Sequence, residues 1–161
     1  MDAQEDNYIS FNLVLVHPEI PQNTGGIGRL CVSTGSRLHL IKPLGFSLDD
    51  RYVKRAGMDY WAHVDLHIYE NWDEFLERNP DASLFFFTTK GKRSYWEGEY
   101  PPGAFMVFGN EGSGLPDDFY RKYEGNLFTI PMRGRYFRSL NLANSAAIAL
   151  YEGLRQQERT P

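Results

Sequence analysis

Short runs of apolar residues, each closed by a proline, a glycine or a basic loop, limit what this chain can fold into. Phe11 to Val16 is nearly continuous in apolar side chains, and so are Leu84 to Phe87, Ala104 to Phe108 and Leu127 to Met132. A strand with one wet face alternates; a run that does not alternate is buried on both faces, as in a parallel sheet covered by helices. Leu38 to Ile41 is another short strand, and Val64 to Tyr69 an alternating one. Between them the pattern predicts a charged helix over Leu48 to Arg55, a helix after the Asn71–Glu74 capping box and a helix over Asp117 to Tyr123. Pro21 to Leu30 reads as a loop running into a helix that stops at Gly35, and Arg55 to Trp61 as a loop. Strands alternating with helices define an α/β parallel sheet.

The last strand carries the strongest functional signal. It leaves through Pro131, which cannot donate to a ladder. A loop bearing Arg133, Arg135 and Arg138 follows, and Ser139 or Asn141 can cap the final helix, in which Leu142, Ala146, Ala149, Leu150 and Leu154 recur at helical spacing. Polar, glycine-bearing loops also follow Val16 and Phe108. Ligands of open α/β sheets sit outside the carboxyl ends of the strands, so three such loops converge on one expected site.

Bulk composition narrows the class. The chain has 161 residues, enough for one domain spanning 1–161, with residues 1–10 expected to be a disordered tail. Cys31 is the only cysteine, which removes an internal disulfide or a cysteine metal cluster and fits a reducing, cytoplasmic setting. The amino terminus is polar and acidic, unlike a signal peptide, and no apolar run reaches the roughly 20 residues of a membrane helix. Net charge is −4, yet Lys54–Arg55, Lys90–Arg93 and the arginine loop are basic clusters beside aromatics such as Tyr52, Tyr60 and Tyr136. An acidic protein can therefore carry a basic face that meets RNA. Gly25, Gly26 and Gly28 lack the G-x-G-x-x-G spacing of a dinucleotide site, which disfavours an oxidoreductase. The four histidines read as structural or surface groups, with no metal site.

Three segments taken together carry a resemblance: Pro18-Glu19-Ile20-Pro21-Gln22-Asn23-Thr24-Gly25 running on to Arg29; Phe108-Gly109-Asn110-Glu111-Gly112-Ser113-Gly114-Leu115-Pro116; and Ile130-Pro131-Met132 with Ser139-Leu140-Asn141-Leu142-Ala143-Asn144 and Tyr151-Glu152. In this order they resemble the SPOUT class of RNA methyltransferases, and within it the small tRNA wobble-nucleotide 2′-O-methyltransferases of the TrmL (YibK-like) type. The resemblance covers residues 11 to 157. It implies a Rossmann-like parallel sheet with a C-terminal deep trefoil knot, a homodimer, and S-adenosyl-L-methionine as cofactor without a metal. It also implies methyl transfer to the ribose 2′-hydroxyl of the wobble cytidine or uridine in a tRNA anticodon stem-loop. By the same resemblance Phe87, Thr88, Gly109, Ile130, Met132, Ser139 and Leu140 line the cofactor pocket. Arg29, Asn23, Glu111, Ser139, Asn141 and Tyr151 serve the reaction, and Lys54, Arg55 and Arg138 meet RNA. The other readings are the same chemistry at another tRNA position or on rRNA, and a knotted RNA-binding protein without catalysis.

Overall fold

A computed structural model describes residues 10–136 and 138–158, with the backbone alone at Lys54 and residues 56–59. Among the described residues seven parallel strands form one sheet: β1 (Asn12–Val16), β2 (Arg37–Ile41), β3 (Leu66–Tyr69), β4 (Leu84–Phe87), β5 (Arg93–Ser94), β6 (Phe105–Phe108) and β7 (Leu127–Thr129), in the order β3-β2-β1-β6-β4-β7-β5. The helices are α1 (Pro21–Thr34), α2 (Arg51–Gly57), α3 (Trp72–Arg78), α4 (Phe119–Lys122) and α5 (Leu142–Glu158). Successive strand side chains point to opposite faces, and here both faces are covered. Leu13, Leu15, Met106 and Phe108 pack with Ile27 and Cys31 of α1 and Ala146, Ala149 and Leu150 of α5. Val14, Val16, Phe86 and Val107 pack with Trp72 and Phe75 of α3 and Phe119 of α4. That is why the runs do not alternate.

The start of α1, the stretch after Arg55 and the Asn71 box each differ from the sequence reading. The stretch from Pro21 is helical from its first residue, because proline at the first helical position supplies a fitting φ and loses no hydrogen bond. Its Gly28 serves close packing: a Cβ there would lie 2.7 Å from Cζ3 of Trp61. Gly35 ends the helix in the left-handed conformation, as expected. Residues read as a loop after Arg55 instead continue α2 and then form a 3₁₀ helix over Met58–His63. The expected tail, residues 1–10, lies outside the described residues except Ser10, which is buried and donates to the Thr34 carbonyl. The Asn71 cap forms, accepting from the Glu74 N–H, but the Glu74 carboxylate accepts from Glu70 N–H rather than closing the box on Asn71. No sequence pattern announces β5, since two residues carry no periodicity.

A polar chain runs across the sheet along β1, β2 and β3. Asn12 Nδ2 donates to the Gly103 carbonyl, so its Oδ1 accepts from His39 Nε2–H at 2.9 Å. That leaves His39 Nδ1 to accept from the Tyr69 hydroxyl at 2.8 Å, while Asn79 donates to the Tyr69 oxygen. His39 is neutral, its pKa pushed down to about 3 chiefly by burial and secondarily by the charges of His67 and Arg37. The unfolded chain takes up this proton near pH 6.5 and the folded one does not, so stability is full above pH 6.5 and falls as the pH drops. Urea unfolding should lose up to about 1.4 kcal/mol per pH unit below roughly pH 6 from this group, and His39→Asn should flatten that slope. An unchanged slope in the variant would show that other groups set it.

Candidate active site

Because β6, β4 and β7 are parallel neighbours, their carboxyl ends emerge side by side. A cavity of about 530 Å³ opens there, within the range of small-molecule sites. Its walls are the exits of β4, β6 and β7, the start of α5, and Ile20 and Asn23 at the start of α1. Phe87, Thr88, Gly109, Ile130, Met132, Ser139 and Leu140, the residues expected to hold a cofactor, all line it. Asn23, Glu111, Ser139 and Asn141 line it as well; Arg29 and Tyr151 do not.

The loop after β6 clamps the loop after β1. Asn110 pairs backbone to backbone with Gly114 in both directions at 2.9 Å. Its side-chain oxygen accepts from the amides of Gly112 and Ser113, and its Nδ2 donates to the His17 carbonyl at 2.8 Å. Next to it, the Glu111 carboxylate accepts from the backbone N–H groups of Glu19 and Ile20, where α1 begins. Burial raises the Glu111 pKa above its ordinary value, and those two backbone bonds pull against the rise. The carboxylate is thus engaged in fixing the first loop, a holding role.

Asn141 does two jobs at once. Its Oδ1 accepts from the amides of Ala143 and Asn144, capping α5, and its Nδ2 donates to Asn23 Oδ1 at 3.0 Å. Of the two candidate caps, Asn141 serves and Ser139 is left exposed on the cavity wall. Asn141→Ala should cost about 1–2 kcal/mol through the lost cap, read as a lower urea midpoint. Asn141→Asp keeps the cap but sets a carboxylate against the Asn23 oxygen, so it should weaken ligand binding with a smaller stability loss. Equal stability losses in the two variants would deny the cap its share.

Arg29 sits exposed on the third turn of α1, its guanidinium 5.3 Å from the Tyr60 ring centroid. Tyr151 is 55% exposed on α5. Arg55 is exposed on α2, which packs against α1. The Lys54 side chain lies outside the described residues. Arg138 is exposed directly before Ser139, and Arg133, Arg135 and Arg138 are not in the cavity lining, whereas Met132 and Ser139 are. Thr89, Lys90, Asn110, Tyr120 and Ser145 also line the cavity. The polar exit Thr88-Thr89-Lys90 is a readable signal for two of them; nothing in the sequence points to Tyr120, which arrives from α4. Among the described residues no group of His, Cys, Asp and Glu is arranged to hold a metal ion, and no helix is long and apolar enough to cross a membrane.

The walls suit S-adenosylmethionine. The cavity offers backbone amides and carbonyls, hydroxyls and apolar rings in one small volume, and Gly109 in its lining stands where a side chain would have no room. Comparison with known proteins agrees. The model of the SpoU rRNA Methylase family matches residues 10–151. A tRNA (cytidine(34)-2′-O)-methyltransferase of Burkholderia ambifaria is 45% identical over 91% of this chain and 95% of its own. A chain solved in work on 2-OH methylation of C/U34 on tRNA superposes with a TM-score of 0.88, at 41% identity over 94% of this chain and 97% of that one. An AdoMet-bound rRNA methyltransferase from Sinorhizobium meliloti gives a TM-score of 0.81 at 25% identity, covering 92% of this chain and 57% of that one.

Proposed function

Because the chain belongs to the SpoU rRNA methylase family, we propose that it methylates the ribose 2′-hydroxyl of the wobble cytidine or uridine of a tRNA, using S-adenosylmethionine. The observation that carries this reading is the cavity at the strand ends, lined by all seven residues expected to hold the cofactor and by four of those expected to serve the reaction. The relatives named for cytidine 34 and C/U34 supply the target nucleotide.

When bound, the cofactor supplies an activated methyl group on its sulfonium. The chain's own residues must then seat it, hold the ribose and favour loss of the hydroxyl proton. Gly109, Ile130 and Leu140 offer close backbone and apolar walls. Asn23 and Asn141, tied to each other, fix the start of α1 against the start of α5. Glu111, occupied by backbone amides, holds the first loop rather than acting as a base. Arg29 positions the phosphate beside the target ribose, and its guanidinium charge favours the developing alkoxide. Arg55 and Arg138, with Lys54, grip the anticodon stem-loop.

The family also implies threading of the segment between β7 and α5 as a deep trefoil knot, and a homodimer with the active site near its interface. Ile20, Leu140 and Tyr151 are exposed large side chains beside the start of α1, at the cavity and on α5; covering them in a dimer would bring a second subunit to the site. A cytoplasmic setting follows from the tRNA substrate.

The test is methyl transfer from labelled S-adenosylmethionine to tRNA lacking wobble ribose methylation, with the product nucleotide mapped by mass spectrometry. A methyl on the wobble ribose is expected. A methyl elsewhere would overturn the target, and binding of the cofactor with no transfer to tRNA or rRNA would overturn the reaction.

A further inference from the structure

The cavity has one carboxylate and one ammonium among its described lining residues, and they differ in what they are free to do. Glu111 is spent on the amides of Glu19 and Ile20. The ammonium of Lys90 lies 4.6 Å from the centroid of the Tyr120 ring, where the ring's electron-rich face attracts a cation. Tyr120 is itself fixed, since its hydroxyl accepts from the Leu115 amide at 3.2 Å, in the loop after β6.

The backbone beneath Lys90 is equally constrained. Thr88 N–H donates to the Phe128 carbonyl, Gly91 N–H donates to the Thr88 carbonyl, and the Thr88 hydroxyl accepts from Lys90 N–H. Gly91 presses on the β7 backbone so closely that a Cβ there would lie 2.6 Å from the Phe128 carbonyl carbon. A tight turn thus delivers one lysine to the cavity rim, and a ring from another element steadies its head. An ammonium placed this way, at the mouth of a site whose one described carboxylate is already bonded, attracts an anion.

We propose that Lys90, positioned by Tyr120, is the anchor for the carboxylate of the cofactor's methionyl tail, and that it makes the site select ligands carrying that carboxylate. The proposal rests on the cofactor reading above and adds to it a residue that sets which adenosyl compounds the site accepts. The carboxylate lies at the far end of the tail from the sulfonium, so a cation at the rim pairs with the first without crowding the second. The bond is a charge-assisted N–H···O contact in a partly solvated place, so its removal should weaken binding about tenfold.

Calorimetric titration with S-adenosylhomocysteine and with 5′-methylthioadenosine, which lacks the amino-acid carboxylate, tests this in the full chain. Lys90→Met should bind S-adenosylhomocysteine about tenfold more weakly while methylthioadenosine affinity stays within about twofold, and Lys90→Arg should restore the first. The wild-type preference for S-adenosylhomocysteine should shrink as salt rises. Tyr120→Leu should mimic part of the Lys90→Met loss, and Tyr120→Phe, which keeps the ring, less of it. Unchanged S-adenosylhomocysteine affinity in Lys90→Met overturns the proposal, as does an equal loss for both ligands. So does a loss confined to tRNA affinity, which would assign Lys90 to an RNA phosphate. If the wild-type chain bound neither adenosyl compound, the cofactor reading itself would fall; binding of both regardless of Lys90 would remove the subsite alone.

Discussion

Gly109→Ala should abolish cofactor binding and destabilise the fold together. A Cβ at this position would land against the carbonyl carbon of Gly114 and the amide nitrogen of Leu115, and 2.6 Å from the Gly114 oxygen. All of these are backbone atoms, so no rotamer change relieves the clash. The loop after β6 must open, and the paired bonds between Asn110 and Gly114 break with it. The damage then spreads, because the same loop holds the His17 carbonyl through Asn110 and the Glu19 and Ile20 amides through Glu111. Overpacking and lost backbone pairing together should cost about 2–4 kcal/mol. S-adenosylhomocysteine affinity should fall at least about 100-fold, roughly 2.7 kcal/mol. Gly125→Ala is the control, since a Cβ there meets nothing within 4 Å. Near-normal affinity in Gly109→Ala would mean that the cofactor does not use this wall.

Arg29→Ala should remove catalysis and leave the cofactor site intact. Arg29 does not line the cavity, so its loss takes nothing from the cofactor's walls. It does remove a guanidinium charge from the face where α1 meets the Tyr60 ring. If that charge holds the phosphate and favours the alkoxide, single-turnover methyl transfer should slow by at least about 100-fold, close to 3 kcal/mol in the barrier. S-adenosylhomocysteine affinity should stay within about twofold. Arg29→Lys should recover only part of the rate, because a compact ammonium cannot reproduce the planar fork. Turnover near that of the unaltered protein would end the catalytic assignment. A parallel loss of cofactor affinity would instead make Arg29 a packing residue of α1.

Much of the sheet is legible in the sequence because burial on both faces leaves a mark in composition. In Leu84 to Phe87 no polar residue interrupts the run, so neither face reads as wet. Gly35 and Asn141 are legible for a different reason, each acting within a few residues along the chain. The start of α1 reads as a loop because Pro21 and three glycines weigh against a helix when judged by propensity. Packing against Trp61 and Val64 overrides propensity at Gly28. β5 is invisible because its pairing with β7 comes from a neighbour distant in sequence rather than from any pattern of its own.

The layers, the parallel sense of the sheet, the strand exits where a ligand could sit and the three motifs that resemble a methyltransferase are all readable from the chain alone. These are local properties, written in runs, caps and turns. Three-dimensional packing adds that β6, β4 and β7 lie side by side, so that their exits share one cavity. It also adds that Glu111 is consumed by the backbone of another loop, that Asn141 reaches Asn23, and that Lys90 rests on Tyr120. Each of those pairs joins residues far apart in the chain. Strand order and long-range side-chain partners follow from the packing of the whole molecule, and no local pattern can encode them.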